Sequence, residues 1–167
     1  MPRRLVLVAA LIGLIAVIMP AWSPRADTAP GPGWQRQMLA EVNAVRAAAG
    51  IPPLRLCGAL GRAARTHAHD LAETAPFGHV GADGRNPGER VREQGYAWRT
   101  VGENVAAGQK SVREVMESWV SSDGHLANLL NPGFRHLGVA VAVDRGSAYG
   151  LYWVQDFGSG GPCRARS

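Results

Sequence analysis

The sequence predicts an α+β domain in which helices cover an antiparallel sheet. Three observations carry that expectation. Apolar residues recur at helical spacing through the earlier segments of the chain. Strict alternation replaces that spacing near the end, where Leu137, Val139, Val141 and Val143 interleave with His136, Gly138, Ala140 and Ala142. Helices come first and a hairpin last, an order that favours α+β over the alternating βαβ units of a parallel sheet.

The elements follow in chain order. Trp34 to Ala49 places Met38, Leu39, Val42 and Val45 on one helical face, and Gly50 with Pro52 and Pro53 ends it. Cys57 to Glu73 is a second helix, with Leu60, Ala64, His67, Ala68 and Leu71 on its apolar side. Thr74 to Gly84 is a loop around His79. Asn86 caps a short helix with Pro87 at its first position, ending near Gly95. Ser111 and Glu114 form a capping box ahead of Val112, Val115, Met116, Trp119 and Val120. Ser122 or Asp123 caps a further helical turn that Asn131-Pro132-Gly133 terminates. The hairpin pairs the His136–Val143 strand with one through Tyr149, Leu151 and Trp153 to Phe157, and Val101 to Ala106 is a further candidate strand.

The chain has 167 residues. Arg3 and Arg4 precede an apolar run from Leu5 to Met19, then Pro20 and Ala21, the pattern of a secretory signal. That run is shorter than the roughly 20 apolar residues that span a bilayer. The expectation is therefore an export segment over 1–26, cleaved or retained as an anchor. A proline- and glycine-rich linker follows over 27–33, then one domain over 34–163 and a tail over 164–167. Contact with a membrane is expected only through a retained anchor.

The sequence pI near 10.0 is partly a property of the export segment. Arg3, Arg4 and Arg25 precede the first acidic residue, Asp27, leaving 15 basic against 13 acidic residues beyond it, a net of about +2. With no basic stripe interleaved with aromatics, nucleic acid is excluded as a partner. The two cysteines, Cys57 and Cys163, are an even count in an exported chain and predict a disulfide.

His79 and His125 each sit in a polar, glycine-flanked segment, where function concentrates. Glu103 is a carboxylate inside the apolar stretch Val101–Ala106, so it must be paired, coordinated or neutral. His67 reads as a satisfied core histidine, His69 as solvent-facing, and His136 as structural or exposed. Glu117 reads as a solvated partner of Arg113 one helical turn away.

Four ordered motifs bear a resemblance to a known family. They are His79-Val80-Gly81-Ala82-Asp83-Gly84; Gly102-Glu103-Asn104-Val105-Ala106-Ala107-Gly108; Trp119-Val120-Ser121-Ser122-Asp123-Gly124-His125-Leu126-Ala127-Asn128-Leu129-Leu130; and Tyr152-Trp153-Val154-Gln155-Asp156-Phe157-Gly158. Together they resemble the CAP superfamily of cysteine-rich secretory, antigen 5 and pathogenesis-related 1 proteins, in its bacterial secreted branch. The resemblance implies a three-layer α-β-α sandwich with a central antiparallel sheet and a surface cleft. Carried onto this chain, the cleft is lined by His79, Glu103 and His125, with Ser122 where eukaryotic relatives have a second glutamate. The resemblance implies that such a cleft can hold a divalent metal such as zinc on His79, His125 and Glu103. A hydrogen-bonded cluster without metal is the other reading of the same residues.

The expected function is a secreted, monomeric, non-catalytic domain that binds a ligand, a lipid among the candidates, or a divalent metal in the envelope or outside the cell. One alternative is a hydrolase in which His79, His125 and Glu103 activate water, with or without a metal. Against it, the sequence has no HExxH, GxSxG or SxxK motif. The other alternative is a structural envelope protein with a vestigial cleft.

Overall fold

The computed structural model describes residues 30–73, 76–161 and 163. The predicted export segment, the first linker residues and the tail lie outside the described residues. Among the described residues, the helices are α1 (Trp34–Ala48), α2 (Gly58–Glu73), α3 (Pro87–Glu93), α4 (Val112–Val120) and α5 (Asp123–Leu129). The strands are β1 (Arg55–Leu56), β2 (Thr100–Ala107), β3 (His136–Asp144) and β4 (Gly150–Ser159). They form one four-stranded sheet in the order β1-β3-β4-β2. The three long strands pair antiparallel, and β1 adds two residues in parallel beside β3. The short β1 is not among the predicted strands, because Arg55 and Leu56 offer no period to read. No helix among the described residues is long and apolar enough to cross a membrane.

Alternation along the strands sorts the side chains into two cores. On one face, Leu137, Val139, Leu151, Trp153 and Phe157 pack with Met38 and Val42 of α1, Val115 and Trp119 of α4, and Leu129 of α5. On the other, Ala140, Ala142, Tyr152, Val154 and Val105 pack beneath Ala64, Ala68 and Leu71 of α2. Helices thus cover both faces of the sheet, making the three-layer α-β-α sandwich. Small residues dominate the second core, so α2 lies close to the strands. The closest approach is at Gly138, where an added Cβ would stand 2.1 Å from the Leu60 carbonyl carbon.

Caps mark the helix starts. The Asn86 side chain accepts from the Glu89 N–H while the Glu89 carboxylate accepts from the Asn86 N–H, a full capping box with Pro87 at the start of α3. At α4 the box is partial: the Ser111 hydroxyl accepts from the Glu114 N–H, but Glu114 reaches past Ser111 to the Lys110 N–H. The buried Arg46 of α1 secures the far end of α5, donating from Nη1 to the carbonyls of Leu129 at 2.7 Å and Asn131 at 3.0 Å. Cys57 and Cys163 form the predicted disulfide, with Cα atoms 5.3 Å apart and a separation of 106 residues.

Two stability measurements test this packing. Gly138→Ala is expected to destabilise the domain by about 1–3 kcal/mol or more through overpacking. Gly61→Ala, within α2 where an added Cβ meets nothing within 4 Å, is expected to stabilise it by about 0.5–1 kcal/mol. An unchanged or raised urea midpoint for Gly138→Ala would contradict the close approach there. Reducing the disulfide is expected to lower the midpoint as well, by an amount corresponding to up to about 4.7 kcal/mol for a loop of this length.

Candidate functional site

Edge strand β2 divides the candidate residues between the two faces of the sheet. Glu103 shares the α2 face with Val105, while Asn104 points to the opposite face, toward α5. Gly102 ahead of them leaves room for α5 to approach: a Cβ there would stand 2.8 Å from both Asn128 Oδ1 and Phe134 Cζ. Asn128 Nδ2 then donates to the Glu103 carbonyl at 3.0 Å and to Asn104 Oδ1 at 2.9 Å. The Gly-Glu-Asn sequence therefore presents one carboxylate to one face and one amide to the other.

His79 comes from the loop between α2 and α3. Its Nδ1 lies 2.8 Å from Glu103 Oε1. The carboxylate accepts there, so the proton sits on Nδ1 and Nε2 is left as the second nitrogen of the ring. The His79 side chain is 53% exposed, whereas that of Glu103 is 1% exposed. An open imidazole is thus mounted on a buried acid. The hydrogen bond to Glu103 raises the His79 pKa, more than burial and Arg90 lower it.

Arg90 of α3 holds the other side of Glu103. Its Nη2 donates to Glu103 Oε2 at 2.5 Å, and both side chains are buried. Its Nη1 donates to the carbonyls of His79 at 3.0 Å and Arg85 at 2.7 Å. One guanidinium therefore neutralises the acid and fixes the backbone of the loop that carries His79. His67 of α2 is fully buried, as expected of a core histidine, but it borders this group. Its Nε2 lies 2.8 Å from the Gly78 carbonyl, to which it donates, and 3.7 Å from Glu103 Oε1. Burial lowers its pKa more than Glu103 raises it, so the ring is neutral.

His125 approaches from the α5 side. Its carbonyl accepts from Asn104 Nδ2 at 3.2 Å. Burial lowers its pKa, and the charge of His79 lowers it further. Its Nδ1 lies 2.9 Å from the Ser122 hydroxyl. Ser122 occupies the cap position of α5, yet its side chain makes no capping bond and turns to His125 instead. The remaining histidines lie outside this group. His69 is exposed beside Glu73. His136 Nδ1 lies 2.8 Å from the Tyr96 hydroxyl, which burial keeps protonated by pushing its pKa up to about 12. Glu117 and Arg113 form the expected exposed pair at 3.3 Å.

The structure joins His79 to Glu103 directly, and links the His125 main chain to β2 through the neighbouring Asn104. Sequence reasoning does not single out Arg90. The one available signal is that an acid in an apolar strand needs a cation, and nothing in the spacing selects Arg90 from the other arginines. The expected three-ligand zinc site does not match this donor set. The buried Glu103 carboxylate is directed at Arg90 and at His79, and His79 Nδ1 is spent on Glu103. What remains is one nitrogen on each of His79 and His125, short of the three or four protein ligands of a zinc centre. Among the described residues, no three His, Cys, Asp or Glu side chains are grouped to hold a metal ion. Glu103 is placed to orient a histidine.

The pKa directions give a test. His79 is expected to titrate above the ordinary histidine range, with His125 and His67 below it. A raised folded-state pKa stabilises the fold fully below the unfolded-state pKa, and that contribution fades as pH rises through the folded-state pKa. Glu103→Gln should lower the His79 midpoint and flatten this part of the stability profile. Histidine ring NMR titrations of both proteins would check it; an unmoved His79 midpoint would contradict the bond to Glu103.

Comparison with known proteins places this architecture. The model of the CAP family, described as the cysteine-rich secretory protein family, matches residues 39–157. An uncharacterized protein of Bacillus subtilis, YkwD, is 34% identical over 124 residues, which is 74% of this chain and 46% of that protein. An uncharacterized membrane protein of the same organism, YlbC, is 30% identical over 123 residues, 74% of this chain and 34% of the relative. The chain thus matches less than half the length of each. An extracellular protein of Bacillus anthracis containing an SCP domain superposes with a TM-score of 0.65 at 26% identity, over 74% of this chain and 39% of that one. An outer surface protein of Borrelia burgdorferi has the same fold, with a TM-score of 0.69 at 20% identity over 76% of this chain and 92% of its own. With the sandwich, the ordered motifs and the family match in agreement, the chain belongs to the CAP family.

Proposed function

We propose that this CAP domain is exported and acts outside the cytoplasmic membrane by binding a ligand at the β2 edge, between His79 and His125. The observation that carries the proposal is the contrast at His79: a half-exposed imidazole held by an acid that is itself fully buried and neutralised. Burying Glu103 and Arg90 costs several kcal/mol per ion before their attraction offsets it. That cost is met here in order to fix one ring at an open edge. The same loop exposes two apolar side chains, Phe77 at 55% and Val80 at 56%. Such a surface suits an amphiphile with an anionic or hydrogen-bonding head at the histidines and an apolar portion on Phe77 and Val80. Export is supported by the signal-like first 26 residues and by similarity to an extracellular protein and an outer surface protein.

Native mass spectrometry of the purified protein titrated with oleate, an anionic amphiphile, tests this reading. A one-to-one adduct is expected, lost in His79→Ala/His125→Ala and weakened in Phe77→Ser/Val80→Ser. An adduct that survives the double histidine substitution would place the binding elsewhere. Ester turnover lost in the same histidine variant would favour the hydrolase instead, with the Ser122–His125 contact as its starting point.

A further inference from the structure

A second carboxyl lies behind the first. Glu103 on β2 is paired in register with Asp156 on β4. Asp156 shares the α2 face with Tyr152 and Val154, and it is completely buried. On its other side the ladder partner is Gly138, which has no side chain to donate a hydrogen bond. Above Gly138 sits the α2 backbone at Leu60 and Gly61. Neither Asp156 oxygen meets a donor among the described residues. The Glu103 carboxyl is its ladder partner on β2, on the same face of the sheet.

The charges around this pair are few. Arg90 of α3 is the cation, and it bonds Glu103. His67 of α2 is neutral and donates to the Gly78 carbonyl. His79 from the loop is bonded to Glu103 Oε1. Two ionised carboxylates in register, with one guanidinium bonded to Glu103 alone, would leave a buried, uncompensated negative charge. Two carboxyls sharing one site cannot both ionise cheaply. The partners decide which one keeps the proton. Glu103 accepts from Arg90 and from His79, whereas Asp156 has no donor to stabilise an ionised form.

We propose that Asp156 is a protonated carboxylic acid at neutral pH that donates its O–H to Glu103, and that it is a positioning residue for the His79 imidazole. Glu103 then takes three hydrogen bonds, from Arg90, His79 and Asp156. Burial and the nearby Glu103 charge both raise the Asp156 pKa, with Arg90 opposing them. The proposal concerns how the ring is held and does not depend on which ligand the β2 edge takes.

Carbon NMR of the full chain labelled at aspartate tests it. The Asp156 carboxyl carbon, assigned through its own backbone, is expected at the protonated position at neutral pH. Finding it at the ionised position would overturn the proposal, and this measurement needs no variant. The second arm follows the His79 ring titration in two substitutions. Asp156→Asn keeps a donor facing Glu103 and should leave the His79 midpoint near its wild-type value. Asp156→Val removes the donor, leaving Glu103 a stronger partner for the imidazolium, and should shift the midpoint upward. A midpoint moved equally by both substitutions, or by neither, would assign Asp156 a purely packing role and overturn the positioning claim.

Discussion

The buried ion pair of Glu103 and Arg90 is the constraint around which this face of the molecule is arranged. Neither group could sit in the interior alone. Their contact requires β2 to present Glu103 inward, α3 to deliver Arg90, and α2 to seal the pair with His67. The same guanidinium takes up the carbonyls of His79 and Arg85, so the loop over the pair is tied by backbone bonds. The interior charge and the exposed imidazole are therefore parts of one unit. Weakening Arg90 would loosen the His79 loop and leave the acid beneath it unpaired.

The opposite face supports the edge by different means. Its core is apolar and aromatic, with Trp119 and Trp153 fully buried. A small polar chain runs through it: Asn104 contacts Gln155 at 3.2 Å, and Asn128 reaches both Asn104 and the Glu103 carbonyl. The bond from Asn128 to the Glu103 carbonyl takes up a main-chain acceptor that an edge strand would otherwise offer to another strand. Arg46 holds the end of α5 from α1, so the helix carrying His125 is fixed at both ends. Two rigid faces thus meet at one edge, each contributing one histidine.

The elements are legible in the sequence where periodicity is strong. The spans predicted for α1, α2, β3 and β4 agree with those found to within a residue or two, because each has a long apolar period, with boundaries such as Gly50 after α1 and Asn131-Pro132-Gly133 ahead of β3. Spacing puts Ser122 or Asp123 at a helix cap; Ser122 holds the position, but its hydroxyl turns to His125. A cap position can be read from spacing; a choice between two neighbouring partners cannot. The apolar face of α2 makes His67 a core histidine, and its burial agrees, yet its place beside Glu103 follows from the packing of α2 on the sheet.

Composition and order are enough for the α+β class, for the disulfide, and for the requirement that Glu103 find a partner, since each follows from local period, cysteine parity or the cost of an isolated charge. They do not name that partner. Arg90 and Asp156 lie 13 and 53 positions from Glu103 along the chain, and no pattern links them. Strand register sets Asp156 opposite Glu103, and the seating of α3 aims Arg90 at the same point. Those are long-range choices made by the fold as it closes. They decide that Glu103 serves as the mount for a histidine, where its residue type alone would equally have suited a metal ligand.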